Sequence, residues 1–187
     1  MTTPKSRRHR APRVLVCYYS MTGHTRRLAA ELHRAFDCEI EEIREPRPRT
    51  GLVGLVRALI DAMRRRMPPI QPIHHEPGDL DLLVLGGPVW AGRMASPVRT
   101  YASHFAQRAP RLALFCTEGA RGADQAFAEL EALCGRERIA SLVVDERHLA
   151  DSEHGEQLAD FVRAVHEALG EPEPIPSAAM PLAHAVT

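Results

Sequence analysis

Three hydroxyl side chains and one glycine occur within the short segment from residue 20 to 25. Ser20, Thr22 and Thr25 carry the hydroxyls, and Gly23 allows the backbone to approach a ligand closely. A stretch with helical spacing follows, and the start of a helix offers free backbone N–H groups and a partial positive charge. Together these donors suit a phosphate group without a lysine or an arginine. The alternative is that the hydroxyls only cap the helix.

Tryptophan occurs once in the chain, in a second segment of small residues that runs from Gly86 to Gly92. Trp90 has few local side chains to pack against there, so a planar ligand is a natural partner for its ring. The alternative is that Trp90 covers the apolar core of the protein itself. A third segment, residues 117–122, contains two glycines that permit a close approach to a ligand. An ordinary strand-to-helix turn is the alternative explanation for that segment.

The sequence shows no catalytic triad and no cluster of side chains with metal-ligand spacing. His24 lies inside the first segment, where a histidine that faces solvent or phosphate is favoured over a catalytic base. The four cysteines are scattered and have no metal-ligand spacing. We therefore predict no catalytic side chain and no metal site. A nucleotide-triphosphate loop of the GxxxxGK[ST] type is also absent from the sequence.

An apolar, β-prone run precedes each of the three segments, and such runs alternate with helical patterns along the chain. This alternation favours a parallel sheet with helices on both faces. Ligands bind at the carboxyl ends of such strands, where all three segments lie. The predicted strands are 14–19, 38–43, 81–87, 112–116 and 139–144, and the predicted helices are 28–36, 52–63, 96–106, 123–133 and 153–169.

The second predicted helix has a continuous apolar stripe and a basic end. We expect the stripe to pack on the sheet while the arginines stay solvated. A helix that lies on a membrane surface is the alternative. The stripe consists of Leu52, Leu55, Val56, Leu59, Ile60 and Met63, and the flanking arginines are Arg57, Arg64, Arg65 and Arg66.

The 187 residues fit one domain, which we place at 12–170, between a disordered basic arm at 1–11 and a disordered Pro/Ala-rich tail at 171–187. The formal net charge of zero gives no general attraction to nucleic acid, so no nucleic-acid partner is expected. No run approaches about 18 consecutive apolar residues, so we expect no membrane span. The basic start lacks a signal-peptide core and the scattered thiols suit a reducing compartment, which predicts a cytoplasmic protein.

The first two segments resemble the flavin-binding loops of the flavodoxin family. The run from Tyr19 to Thr25 is similar to the flavodoxin phosphate loop, a hydroxyl-x-Thr-Gly-x-Thr pattern directly after the first strand. The run from Gly86 to Gly92 resembles the second flavin-contacting loop of flavodoxins and of flavodoxin-like quinone reductases. The resemblance extends over residues 14–169. It implies a flavodoxin-like, doubly wound α/β fold whose five-stranded parallel sheet has the order 2-1-3-4-5.

The resemblance also implies that FMN is the cofactor. The first segment would hold the phosphate, Trp90 would pack on the isoalloxazine ring, and the third segment would approach the pyrimidine end of that ring. A backbone carbonyl near Ala91 or Gly92 would face the flavin N5. The implied cofactor-binding residues are Ser20, Met21, Thr22, Gly23, His24 and Thr25, then Pro88, Val89, Trp90, Ala91 and Gly92, and finally Thr117, Glu118 and Gly119.

Two departures from the family pattern bear on function. Flavodoxins that shuttle electrons are usually strongly acidic, whereas this chain is neutral, and the third segment lacks the second aromatic ring that often covers the flavin. An open flavin face would admit a nicotinamide or a quinone. We therefore expect either electron transfer to a redox partner protein or an FMN-dependent oxidoreductase that uses NAD(P)H or a quinone. A homodimer is expected by analogy only. The alternative is a flavodoxin-fold module without flavin that binds or regulates a partner.

Overall fold

The computed structural model describes residues 10–49, 51–119, 121–147, 149 and 154–170. The predicted tail, most of the predicted basic arm and the predicted start of the last helix at residue 153 lie outside these residues. The strands are β1 Val14–Tyr18, β2 Glu39–Glu42, β3 Leu82–Trp90, β4 Arg93–Met94, β5 Leu112–Glu118 and β6 Ala140–Asp145. The helices are α1 His24–Phe36, α2 Gly51–Met63, α3 Ser96–His104, α4 Ala123–Cys134 and α5 Gly155–Leu169.

Five parallel strands form the central sheet in the order β2-β1-β3-β5-β6. This order confirms the predicted one, because β4 is only a two-residue addition that pairs with β3. The middle strands are apolar along their whole length since helices cover both faces of the sheet. Every residue of β1 is buried, for example, and Leu15 is opposite Leu83 on β3.

Helices cover the two faces of this sheet and build a separate core on each side. On one face, α1 and α5 contribute Leu28, Leu32 and Phe161 to an apolar cluster. On the other face, α3 and α4 contribute Tyr101 and Phe127 to a second cluster. Helix α2 lies on this second side, where it contacts β3, β4 and α3. Among the described residues, no helix combines the length and the hydropathy that are needed to cross a bilayer.

The prediction of a loop from Gly86 to Gly92 is wrong in part, because β3 continues as far as Trp90. Only Ala91 and Gly92 form the turn, and both have positive φ, at 50° and 73°. Two-residue turns of this kind match the twist of antiparallel strands, so the chain reverses and Trp90 is opposite Arg93 on β4. The small residues that predicted a ligand loop thus form the end of a strand and a tight hairpin.

The predicted packing of α2 is wrong as well. The helix buries Gly54, Ala58, Asp61 and Ala62. Most of its large apolar side chains point outward instead of onto the sheet: Leu52, Val53, Leu55, Val56, Ile60 and Met63 are exposed, Leu52 and Val53 by 76% and 82%, whereas Leu59 of the predicted stripe is half-buried. Apart from Asp61 the inner face consists of small residues, and at Gly54 the helix lies close to the connector that precedes it. A Cβ on Gly54 would lie 2.8 Å from the carbonyl carbon of Arg49.

A buried carboxylate on the edge strand β2 ties the connector after α2 to the sheet. Glu41 accepts hydrogen bonds from the backbone N–H of His74 at 2.6 Å and of His75 at 3.2 Å, and from the Nδ1 atoms of both rings. Burial alone would raise the pKa of Glu41, but these four hydrogen bonds outweigh it and lower the pKa.

Candidate functional site

The first candidate segment forms the turn between β1 and α1. The backbone N–H of Gly23 donates to Ser20 Oγ at 3.1 Å, which closes the turn. Gly23 has φ 101° and precedes the helix, and it provides no side-chain cap. The N–H groups of the first helical turn therefore have no side-chain acceptor among the described residues. An uncapped helix start of this kind can bind an anion.

The hydroxyls of this segment differ in exposure. Thr22 is exposed, and a Cβ on Gly23 would meet nothing within 4 Å, so the outer side of the turn is open. Thr25 is buried, and its hydroxyl shares a 2.8 Å hydrogen bond with the hydroxyl of Thr117 on β5. Thr25 thus fixes the position of α1 against β5, and Thr22 is the hydroxyl that is free to meet a ligand.

Trp90 is half-buried at the end of β3, beside this turn. Its ring meets the edge of Tyr19 with the ring centroids 5.9 Å apart and the planes at 89°. The tryptophan also packs against the core cluster of α3 and α4, with part of its ring left open. Tyr19 is thus a packing partner that the sequence analysis missed, and it holds the indole in one orientation.

The tip of the hairpin touches the segment between β5 and α4. A Cβ on Gly122 would lie 2.5 Å from the Cα of Gly92, so the two backbones can meet only because residue 122 is glycine. Gly122 also has φ 131°, a conformation that residues with a side chain rarely adopt. Glu118 accepts a hydrogen bond from the backbone N–H of Ala123 at 3.1 Å and so caps α4. Its carboxylate therefore bonds within the protein and fixes the backbone between β5 and α4.

His24 and the end of β6 close another side of the site. His24 Nδ1 lies 3.4 Å from Glu146 Oε2, and both side chains are partly exposed. The backbone N–H of Glu146 donates to the carbonyl of Glu118 at 3.0 Å, which joins the segments after β5 and β6. The sequence analysis missed Glu146, although its place directly after a parallel strand is the signal that would have revealed it.

A buried ionic network extends from Tyr19 to the inner face of α2. The Tyr19 hydroxyl donates to Glu45 at 3.1 Å, and burial raises the pKa of Tyr19, which keeps the phenol protonated. Arg49 donates to both oxygens of Glu45, at 2.7 and 2.9 Å, and pairs with Asp61 at 3.0 Å. Burial lowers the pKa of Arg49, but the hydrogen bonds and charge of Glu45 outweigh it and raise the pKa overall.

The structure brings the predicted site residues together at the carboxyl edge of the sheet. The turn after β1, the β3–β4 hairpin and the segment after β5 are joined by three contacts: Thr25 with Thr117, Tyr19 with Trp90, and Gly92 with Gly122. Exposed groups along this edge are the hydroxyl of Thr22, the imidazole of His24, and the backbone at Ala91 and Gly119. The described residues contain no group of three or more metal-ligating side chains.

Several solved structures share this architecture. A flavoprotein from Lactobacillus acidophilus NCFM, crystallised in complex with FMN, matches with a TM-score of 0.62 and 22% identity over 76% of this chain and 98% of its own. A Bacteroides eggerthii DSM 20697 protein, whose flavoprotein assignment is provisional, matches with a TM-score of 0.66 and 19% identity over 86% of this chain and 99% of its own.

The apo form of an NADH:FMN oxidoreductase matches with a TM-score of 0.55 and 13% identity over 87% of this chain and 91% of its own. No protein-family model and no curated protein matches the sequence. The strand order and these structural likenesses together show that the chain has the flavodoxin-like fold that its sequence predicted.

Proposed function

We propose that this protein binds FMN at the carboxyl edge of its sheet and uses it in redox chemistry. One observation carries the proposal. The start of α1 has no side-chain cap, and the half-exposed Trp90 lies beside it at the end of β3, against Tyr19. One part suits a phosphate and the other suits a planar ring. The solved flavoprotein that holds FMN on the same fold supports the same cofactor.

The residues present fit such a group. The backbone N–H groups at the start of α1 and the hydroxyl of Thr22 would hold the phosphate, and the space around Gly23 leaves room for it. Phosphate needs donors, and the exposed residues of this turn include no carboxylate. Trp90 and the hairpin backbone at Ala91 and Gly92 would line the ring.

Each of these residues would act on binding and orientation, while the flavin supplies the redox chemistry when it is bound. Tyr19 fixes the plane of Trp90, and the turn at Ala91 is held by the contact between Gly92 and Gly122. His24 Nδ1 lies 3.4 Å from Glu146 Oε2, which links the start of α1 to the end of β6. The chain therefore presents a cradle whose sides are joined by fixed contacts and in which hydrogen bonds would hold the phosphate.

Within this function we favour an oxidoreductase that uses a small molecule such as NAD(P)H or a quinone over a carrier that docks on a redox protein. The formal net charge is zero, which gives little electrostatic steering toward a charged protein partner. The described residues between β5 and α4 include no aromatic side chain that could cover the second face of a ring. The likeness to an NADH:FMN oxidoreductase supports the same choice.

Because Trp90 is the only tryptophan, its fluorescence reports on this site alone. We expect FMN to quench the emission and the protein to retain a flavin absorption spectrum after desalting. Equal emission with and without FMN would refute the proposal. Reduction of the bound flavin by NADH or NADPH would then support the oxidoreductase, whereas a stabilised one-electron state during partial reduction would favour the carrier.

The phosphate contact can be tested separately with riboflavin, which has the same ring but no phosphate. Thr22→Ala should weaken FMN binding by roughly 1.5–3 kcal/mol, because it removes a hydroxyl donor to a charged group. Its riboflavin affinity should not change. Ser141→Ala, which removes an exposed hydroxyl near the amino end of β6, is the matched control. Equal losses for FMN and riboflavin would remove Thr22 from the phosphate site.

A further inference from the structure

Helix α2 presents an apolar surface that nothing covers among the described residues. All of the large apolar side chains that are exposed there belong to this helix or to its end: Leu52, Val53, Leu55, Val56, Ile60, Met63 and Met67. Several of them line an open groove of about 560 Å³, together with the arginines Arg57, Arg64 and Arg66 and the largely buried carboxylate of Asp61. We call the seven apolar residues together with Arg57, Arg64, Arg65 and Arg66 the α2 face. A continuous apolar patch of this kind on a folded protein marks an interaction surface.

The charges around the α2 face are almost all positive. Between residues 45 and 67 there are six arginines and two carboxylates, an excess of four positive charges in a chain whose net charge is zero. Both carboxylates are buried: Glu45 is 5% exposed and Asp61 is 4% exposed. Arg57 and Arg66, in contrast, are about half exposed. A partner therefore meets a surface of apolar and cationic groups without an exposed acid.

The basic end of the helix is held firmly in place. Arg99, which is buried, donates to the backbone carbonyls of Arg65 and Arg66 at 3.3 and 3.5 Å. Arg66 also pairs with Asp61 at 3.4 Å. The backbone that carries the arginines thus lies at a fixed edge of the apolar patch, which is the arrangement that places cations at the headgroups when apolar side chains enter a bilayer.

We propose that the α2 face binds the surface of an anionic lipid bilayer, with its apolar side chains in the interface and its arginines on the lipid headgroups. The charge favours an anionic bilayer, because arginines border the exposed apolar side chains while both carboxylates between residues 45 and 67 are buried. The charge also disfavours a second copy of this chain, because two α2 faces would bring together surfaces that both carry an excess of positive charge.

Vesicle sedimentation of the full chain tests the proposal. The protein should sediment with vesicles of phosphatidylcholine and phosphatidylglycerol, and should stay in the supernatant with phosphatidylcholine alone. Arg64→Gln with Arg65→Gln should lower the partition coefficient about 30-fold, since each surface arginine contributes on the order of fivefold. Arg34→Gln with Arg111→Gln removes the same charge from exposed positions away from α2 and should lower it much less.

A second pair of substitutions tests the apolar contribution. Leu52→Ser with Val53→Ser changes two exposed side chains, so the fold should be retained, and vesicle binding should fall to the level of the arginine variant. No sedimentation of the wild-type chain, or unchanged binding by the serine variant, would overturn the proposal. Light scattering that shows a dimer, which the serine variant converts into a monomer, would overturn it in favour of self-association.

Discussion

Arg49 is the residue on which we expect the attachment of α2 to depend most. It follows the second strand by only seven positions, and its side chain is completely buried. Two hydrogen bonds join its guanidinium to Glu45, and a third contact of 3.0 Å joins it to Asp61 on α2. Arg49→Met removes these contacts while it keeps most of the side-chain volume. The remaining carboxylates then lie buried without their main cation.

The expected loss in the free energy of unfolding depends on which partners each carboxylate retains in the Arg49→Met variant. Asp61 still has Arg57 at 3.8 Å and Arg66 at 3.4 Å, so part of its charge stays balanced. Glu45 keeps the hydroxyl of Tyr19 but loses the guanidinium that bonds both of its oxygens. Removing one partner of a buried pair costs about 3–5 kcal/mol, and the partial compensation at Asp61 places this case at about 3 kcal/mol.

Urea unfolding, followed by far-ultraviolet circular dichroism, measures that loss as a change in the free energy of unfolding. Arg47→Met is the matched control, because Arg47 is exposed in the same connector, and its effect should stay within about 0.5 kcal/mol. Adding Glu45→Gln to Arg49→Met should restore part of the loss, since it removes the unpaired charge. Equal stabilities of the Arg47 and Arg49 variants would refute the reasoning.

Two further predictions concern single positions whose environment is unusual. Gly122→Ala should destabilise the protein by about 3 kcal/mol, because its Cβ would lie 2.5 Å from the Cα of Gly92 and the backbone at residue 122 has a positive φ. Gly135→Ala is the control: residue 135 also has a positive φ, but the space around it is open, so the loss should be only about 1 kcal/mol in the same unfolding assay. Glu41→Gln should cost roughly 1.5–3 kcal/mol at neutral pH. Because the folded pKa of Glu41 is lowered, its contribution is present above the ordinary value of 4.5 and is lost as pH falls through the folded value. Unfolding curves at several pH values should show the difference shrinking in acid, and Glu39→Gln, on an exposed neighbour, should show little at any pH.

The parallel sheet could be predicted from the sequence because its signal is local, whereas its strand order was implied by the resemblance of the first two segments to the flavodoxin loops. Each buried strand is a short apolar run, and the helices between them leave few topologies for a parallel sheet. The position of the site followed from the same rule, since it lies where parallel strands end. The hairpin at Ala91 was missed because its turn lacks the Asn-Gly or Asp-Gly signal that identifies such turns in a sequence.

The orientation of α2 could not be predicted from its periodicity. A helical stripe shows which residues share a face, and it does not show which face meets the sheet. Here the decision rests on a buried ionic contact that the helical pattern does not show: Asp61 pairs with Arg49, which lies before the helix and is itself bound to Glu45. The close approach at Gly54 was likewise not visible, because a glycine within a helical pattern more often lowers the helix propensity than marks a contact.

The outward stripe of α2 and the buried ionic network have one physical cause. A helix normally stays on a sheet because it buries its large apolar side chains. Helix α2 instead uses Asp61, Gly54 and Ala58 on its inner face, and the ionic contacts with Arg49 replace much of that apolar contact. Its large aliphatic side chains are therefore not needed to hold the helix in place, which leaves them available for an external surface. The same network ends at the Tyr19 hydroxyl, so the helix that we expect to meet the bilayer is joined through fixed contacts to the ring that orients Trp90.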